Sequence, residues 1–137
     1  MKTRRSFLKR LTAGTFLAAL PLSGVNAATK KKHFSGILIH HVFFWLKNPG
    51  NEADRKQFEE AINKLTSIDV IRNAHFGVPA STEDRKVVDH SYSYSLMLIF
   101  DSKKDQDIYQ VHPKHKDFVD KNQHLWEKVI VYDSVDA

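Results

Sequence analysis

The sequence predicts a single α+β domain whose elements run β-α-β-β-α-β. Three observations carry this. A β-branched and aromatic run, ILIHHVFFWL, spans 37–46; an amphipathic helical stripe follows it; and two further apolar runs, 96–100 and 128–134, flank a helical stretch broken at His112-Pro113. That order is the ferredoxin-like arrangement.

Each element has its own signal. Gly36 and the turn Asn48-Pro49-Gly50 bound the first strand. Asn51 can cap a helix over 52–66, with Glu52 and Asp54 at the positive end of its dipole and Phe58, Ala61, Ile62 and Leu65 on one stripe. A weaker strand is expected over 70–78, ending at Pro79, and the polar segment 80–89 reads as the loop to its antiparallel neighbour. That neighbour is expected over 90–100, alternating first and then continuously apolar. Ser102-Lys103-Lys104-Asp105 resembles a capping box for a short helix reaching Val111. Pro113 pushes His112 out of the helical region and suits the first position of a new helix over 114–126. The last strand is expected over 128–134.

Two helices cover one face of such a sheet, yet the strands are apolar on both. In the first strand Val42, Phe44 and Leu46 point one way, and Phe43 and Trp45 the other. An uncovered apolar face of that size is avoided by soluble monomers, so a homodimer joined sheet to sheet is expected.

The chain has 137 residues, no cysteine and a formal charge of +5. Without cysteine there is no disulfide framework, thiolate metal site, lipoprotein anchor or Cys nucleophile. The charge is unevenly placed. Residues 1–27 hold Lys2, Arg4, Arg5, Lys9 and Arg10 with no acid, then the apolar stretch 11–22 and small residues at Ala27-Ala28. This is the build of a secretory signal. Thr3-Arg4-Arg5-Ser6-Phe7-Leu8-Lys9 resembles the twin-arginine signal, which implies a bacterial protein exported already folded to the periplasm. Cleavage is expected after Ala27 or Ala28, leaving a flexible N-terminus over 28–35 and one domain over 36–137. The remainder has sixteen basic and sixteen acidic residues, so it keeps no net charge with which to seek nucleic acid. Contact with a membrane is expected only transiently, during export.

The residues of the mature chain resemble the stress-responsive dimeric α/β-barrel (Dabb) domain family. The matching features are His40 with Lys47 in and just after the first strand, the segment Tyr109-x-x-His112-Pro113-x-His115, and Trp126-Glu127-Lys128 followed by Asp133. The resemblance covers about residues 34–137. It implies sheets paired into a barrel across a homodimer, with a pocket between sheet and helices in each subunit. The family is functionally mixed, and fold does not fix function. One plant member is a polyketide cyclase; its catalytic Tyr and His correspond to Tyr109 and His115, and a first-strand His to His40. A pocket Tyr on its first helix falls at Ile62 here, which counts against the same substrate.

His115 also has a physical case. In the first turn of a helix the dipole disfavours the imidazolium, leaving the neutral ring that can act as a base. It shares a helical stripe with Phe118, Val119 and Trp126, so it is expected to face inward. Beside the Tyr109 hydroxyl it could take a proton α to a carbonyl while the tyrosine stabilises the oxyanion. The plain alternative is a structural histidine bonded to the strand edge. His40, Val42, Phe44, Ile62, His112, Phe118 and Trp126 are expected to line the pocket, with His112 at its mouth and His41 on the opposite sheet face.

The expected function is therefore binding of a small apolar, carbonyl-bearing or phenolic ligand, with cofactor-free lyase, cyclase or isomerase chemistry as the enzymatic form. The rival is a non-catalytic periplasmic stress-response or ligand-binding protein. Although eight histidines raise the question of a metal, Pro113 breaks the spacing of His112 and His115 and no His-Glu-x-x-His pattern exists. No metal site is expected.

Overall fold

The computed structural model describes residues 34–137. Its elements are β1 (Leu38–Leu46), α1 (Glu52–Leu65), β2 (Asn73–Gly77), β3 (Tyr94–Phe100), α2 (Lys103–Val111), α3 (Pro113–Asn122), a 3-10 turn (Gln123–Leu125) and β4 (Trp126–Val135). The sheet is fully antiparallel, in the order β2-β3-β1-β4. This is the ferredoxin-like α+β fold. The twin-arginine leader and most of the expected flexible N-terminus lie outside the described residues.

Two of the caps, at Asn51 and Ser102, are where the sequence put them. The Asn51 side chain accepts from the Asp54 N–H at 3.1 Å. The Ser102 hydroxyl accepts from the Asp105 N–H and donates to its carboxylate at 2.6 Å. His112, held extended before Pro113, ends α2 and caps α3, its Nδ1 accepting from the Lys114 N–H at 3.1 Å.

Strict alternation along β1 buries Leu38, His40, Val42, Phe44 and Leu46 beneath the helices and leaves Ile39, His41, Phe43 and Trp45 half-buried on the other face. Register extends the same division to β3. Tyr94, Leu96, Leu98 and Phe100 stand opposite the helix-facing residues of β1 and join Phe58, Ile62 and Leu65 of α1 in the core.

Three boundaries differ from the sequence expectation. β2 covers only 73–77, because the chain first makes a turn, with the Ile71 N–H donating to the Ile68 carbonyl. β3 begins at Tyr94; residues 90–93 run beside the end of β1 through irregular bonds, the Ser93 N–H to the Phe44 carbonyl and the Leu46 N–H to the Ser93 hydroxyl. The last helix stops at Asn122, whose buried side chain turns back on the Phe118 carbonyl, and Trp126 belongs to β4 instead. The Lys47 N–H reaches the Leu125 carbonyl and starts the β1–β4 pairing there.

Candidate active site

A cavity of about 260 Å³ lies between the sheet and the α2–α3 corner, open toward the edge strand β4. Its floor is His40, Val42 and Phe44 of β1 with Leu96 of β3; α1 supplies Leu65, α2 Tyr109 and Gln110, and α3 His115, Phe118 and Val119. Trp126, Val129 and Val131 of β4 form the side wall, with Gln123 of the 3-10 turn beside them. The volume lies just below the roughly 300–1,000 Å³ of drug-sized sites, which suits a small ligand.

The polar groups converge at one end. The rings of Tyr109 and His115 have centroids 4.6 Å apart, and His40 stands edge-on to Tyr109 at 5.7 Å. His115 Nδ1 is 3.1 Å from the Gln110 carbonyl oxygen. A carbonyl only accepts, so Nδ1 carries the proton and Nε2 keeps its lone pair. Burial lowers the His115 pKa from its ordinary 6.5; the Gln110 hydrogen bond opposes this, and nearby His40 adds to it. The neutral base is thus the form at pH 7. Burial pushes the Tyr109 hydroxyl above its usual 10, so it stays a proton donor.

His40 has a partner of its own. Its Nδ1 is 2.7 Å from an Asp133 carboxylate oxygen on β4, directly opposite in register. The carboxylate orients the ring and leaves Nε2 free.

Of the residues expected to form the site, His115, Tyr109, His40, Val42, Phe44, Phe118 and Trp126 all line this cavity. Two do not. Ile62 is fully buried in the helix–sheet core, and His112 spends its Nδ1 on the α3 cap. Sequence reasoning missed Asp133, Gln110, Gln123, Leu65, Leu96, Val119, Val129 and Val131 as site residues. Asp133 had a signal, as the acid closing the Trp126-Glu127-Lys128 motif, and Val119 had its place on the stripe of His115; the others follow from register and packing.

Trp126 reaches the cavity from a strand, through a register shift between Trp45 and Leu46. Lys128 pairs with Trp45 on the outer face, so strict alternation would turn Glu127 inward. The bulge sets Trp126 opposite Leu46 instead. Its indole stacks on Phe118 at 5.6 Å.

A larger groove of about 420 Å³ between α1 and α3 holds no comparable convergence. Several of its polar groups serve one another. Lys114 donates to the Ser67 hydroxyl and carbonyl, Lys121 pairs with Asp117, and Gln57 donates to Asn122. Among the described residues, no three His, Cys, Asp or Glu side chains are placed to share a metal ion.

The family model for the Stress responsive A/B Barrel Domain matches residues 38–136. Olivetolic acid cyclase of Cannabis sativa is 22% identical over 95 residues, spanning 69% of this chain and 91% of that protein. Hydroxynitrile lyase from Passiflora edulis superposes with a TM-score of 0.62 at 18% identity, over 74% of this chain and 94% of its own. A Bacteroides fragilis protein described as dimeric with a ferredoxin-like fold gives 0.57 at 24% identity, over 76% and 100%. At these identities the structural likeness speaks to fold.

Proposed function

The chain belongs to the stress-responsive A/B barrel domain family, and from that membership and the cavity around His115 we propose that it binds a small carbonyl-bearing or phenolic ligand and catalyses acid-base chemistry on it. The observation that carries this is the pairing of His115, locked with Nε2 unprotonated, and Tyr109, held as a donor, at one end of a largely apolar cavity. In the proposed step His115 Nε2 removes a proton α to the ligand carbonyl. The electron pair moves onto the carbonyl oxygen, where the Tyr109 hydroxyl donates to the enolate. Return of the proton to another carbon would be isomerisation; attack of the enolate carbon on a second carbonyl would be cyclisation. The cyclase and lyase names of its relatives support this class.

Binding can be read by fluorescence. Trp126 lines the cavity and Trp45 lies on the opposite face, so Trp45→Phe leaves Trp126 as the one reporter. Titration with small aryl ketones should quench it saturably. No saturable response to any carbonyl or phenolic probe would overturn the reading.

One observation favours a binding role without turnover: Val129 and Val131 of the side wall are each 44% exposed, so water reaches the cavity along β4. Acid-base sites work best with water excluded. Measurable binding with no exchange of α-protons into deuterated solvent would select that role.

The protein is also proposed to be a homodimer paired through its outer sheet faces, where Phe43 packs against His41 at 4.3 Å and Tyr92 at 5.0 Å and, among the described residues, the helices lie on the other side of the sheet. Phe43→Asp should yield monomers by light scattering; an unchanged dimer would place the interface elsewhere. Export by the twin-arginine route is proposed from the leader. Replacing Arg4 and Arg5 with lysine should leave the chain uncleaved in the cytoplasm, and normal periplasmic recovery would refute that route.

A further inference from the structure

We infer that association of the outer sheet face with a second copy of this chain is proton-gated by His41 and His75, so that the dimer forms at neutral pH and loosens in mild acid. This rests on the proposed sheet-to-sheet dimer and adds to it a control that the apolar residues cannot provide.

The two histidines sit in one row across the face. His41 of β1 and His75 of β2 both pair with Met97 of β3, one from each side. Because β1 and β2 both run antiparallel to β3, they are parallel to each other. Both rings lean toward the next row, formed by Phe43, Ser95 and Gly77. The His41 ring lies 4.3 Å from Phe43, and the His75 ring covers Gly77 so closely that a Cβ there would meet it at 2.9 Å. With no side chain on Gly77 and a short one on Ser95, this row leaves both imidazoles at the surface a partner would touch.

Other charged or titratable groups near the face include Lys128 of β4, whose Nζ lies 4.1 Å over the Trp45 ring, Asp89, whose carboxylate accepts from the Ser91 N–H, and His90, which is close to Asp89 and pairs with Asp84. Tyr92 and Tyr132 also pack on Phe43 on this side, and His40 lies beneath the sheet. Among the described residues no carboxylate forms an ion pair with His41 or His75. Burial already lowers the His41 pKa from 6.5, with His75 and His40 adding to it. A second copy would bring the same groups, another His41 and His75 included, and would remove the water that solvates them.

The sign follows from linkage. The separated chains hold the protons better than the pair, so association weakens as pH falls below the ordinary histidine value and is at full strength above it. Each imidazole kept from charging in the pair contributes up to about tenfold at pH 5.5, so with four of them, even if each is only partly excluded, the dissociation constant should rise at least about a hundredfold between pH 8 and pH 5.5.

Sedimentation equilibrium of the full chain at pH 8, 6.5 and 5.5 tests this, beside the His41→Gln/His75→Gln double variant and with circular dichroism to confirm folding at each pH. Expected are a dimer at pH 8 that weakens toward pH 5.5, and a double variant equally dimeric at all three values. A wild-type dimer equally tight throughout, or a pH dependence that survives in the double variant, overturns the gate while leaving the dimer standing. A monomer at pH 8 in both proteins instead removes the dimer reading and the gate with it.

Discussion

His115→Ala should reduce turnover of a carbonyl substrate by at least about 100-fold, within the 10²–10⁴ that a positioned acid-base group contributes. The expected loss follows from where the ring is held. The Gln110 carbonyl fixes the protonated nitrogen, so the free lone pair of Nε2 is the base, and Tyr109, whose ring centroid lies 4.6 Å from that of His115, supplies the donor for the oxygen that gains charge. Alanine removes the base and leaves the tyrosine, so residual activity should come from orientation and oxyanion stabilisation alone. Stability should change little, because the ring makes one hydrogen bond and is only half-buried. The pH profile gives a second reading of the same group. Burial disfavours the imidazolium, so the acid limb of kcat/KM should lie below 6.5 and activity should be undiminished at pH 7. Burial holds the Tyr109 proton above its usual value, which places any alkaline limb above 10. Unchanged turnover in the folded variant would remove His115 from the mechanism.

Phe58→Ala should be the most damaging single truncation in the domain, costing about 3–5 kcal/mol. The side chain is fully buried, and its ring pairs with aromatic residues of five other elements. It stacks on Tyr94 of β3 at 5.1 Å, meets Phe44 of β1 edge-on at 5.0 Å, and touches Phe118 of α3 and Trp126 of β4 at 6.2 and 6.0 Å. A domain of this size holds roughly 5–15 kcal/mol in total, so the loss should lower Tm by about 15 °C or more. Phe44, Phe118 and Trp126 also wall the cavity, so the variant should bind its ligand more weakly even where it remains folded. Val87→Ala, at a side chain 86% exposed, is the control and should shift stability by less than about 0.5 kcal/mol. Thermal unfolding decides; a drop under 5 °C for Phe58→Ala would mean that the aromatic cluster does not hold the helices to the sheet.

Much of the site was legible because periodicity places side chains on faces. Alternation in β1 put His40, Val42 and Phe44 together under the helices and His41 outside, and helical spacing turned His115 and Phe118 inward. His112 shows the limit of that reading. The proline that identified the corner also left its backbone in need of a cap, and the imidazole supplies it instead of facing the cavity. Ile62 shares the stripe of Phe58 and Leu65, yet only Leu65 reaches the cavity wall. A stripe tells which side a residue takes and not how far along the helix the cavity extends.

Local chemistry in the sequence determined the element order, the caps, the two-sided sheet and the Tyr109–His115 corner, since each depends on residues within a few positions of one another. What only the tertiary structure decided depends on pairing between distant strands. Asp133 becomes the partner of His40 because β4 lies beside β1 in one register among several that the same β-branched sequence could adopt. The bulge opposite Trp45 and Leu46 puts Trp126 in the cavity where alternation would have turned Glu127 inward. A shift of one residue exchanges the faces of a strand, and no signal within that strand specifies it; the choice is made by the aromatic core that Trp126 completes with Phe118 and Phe44.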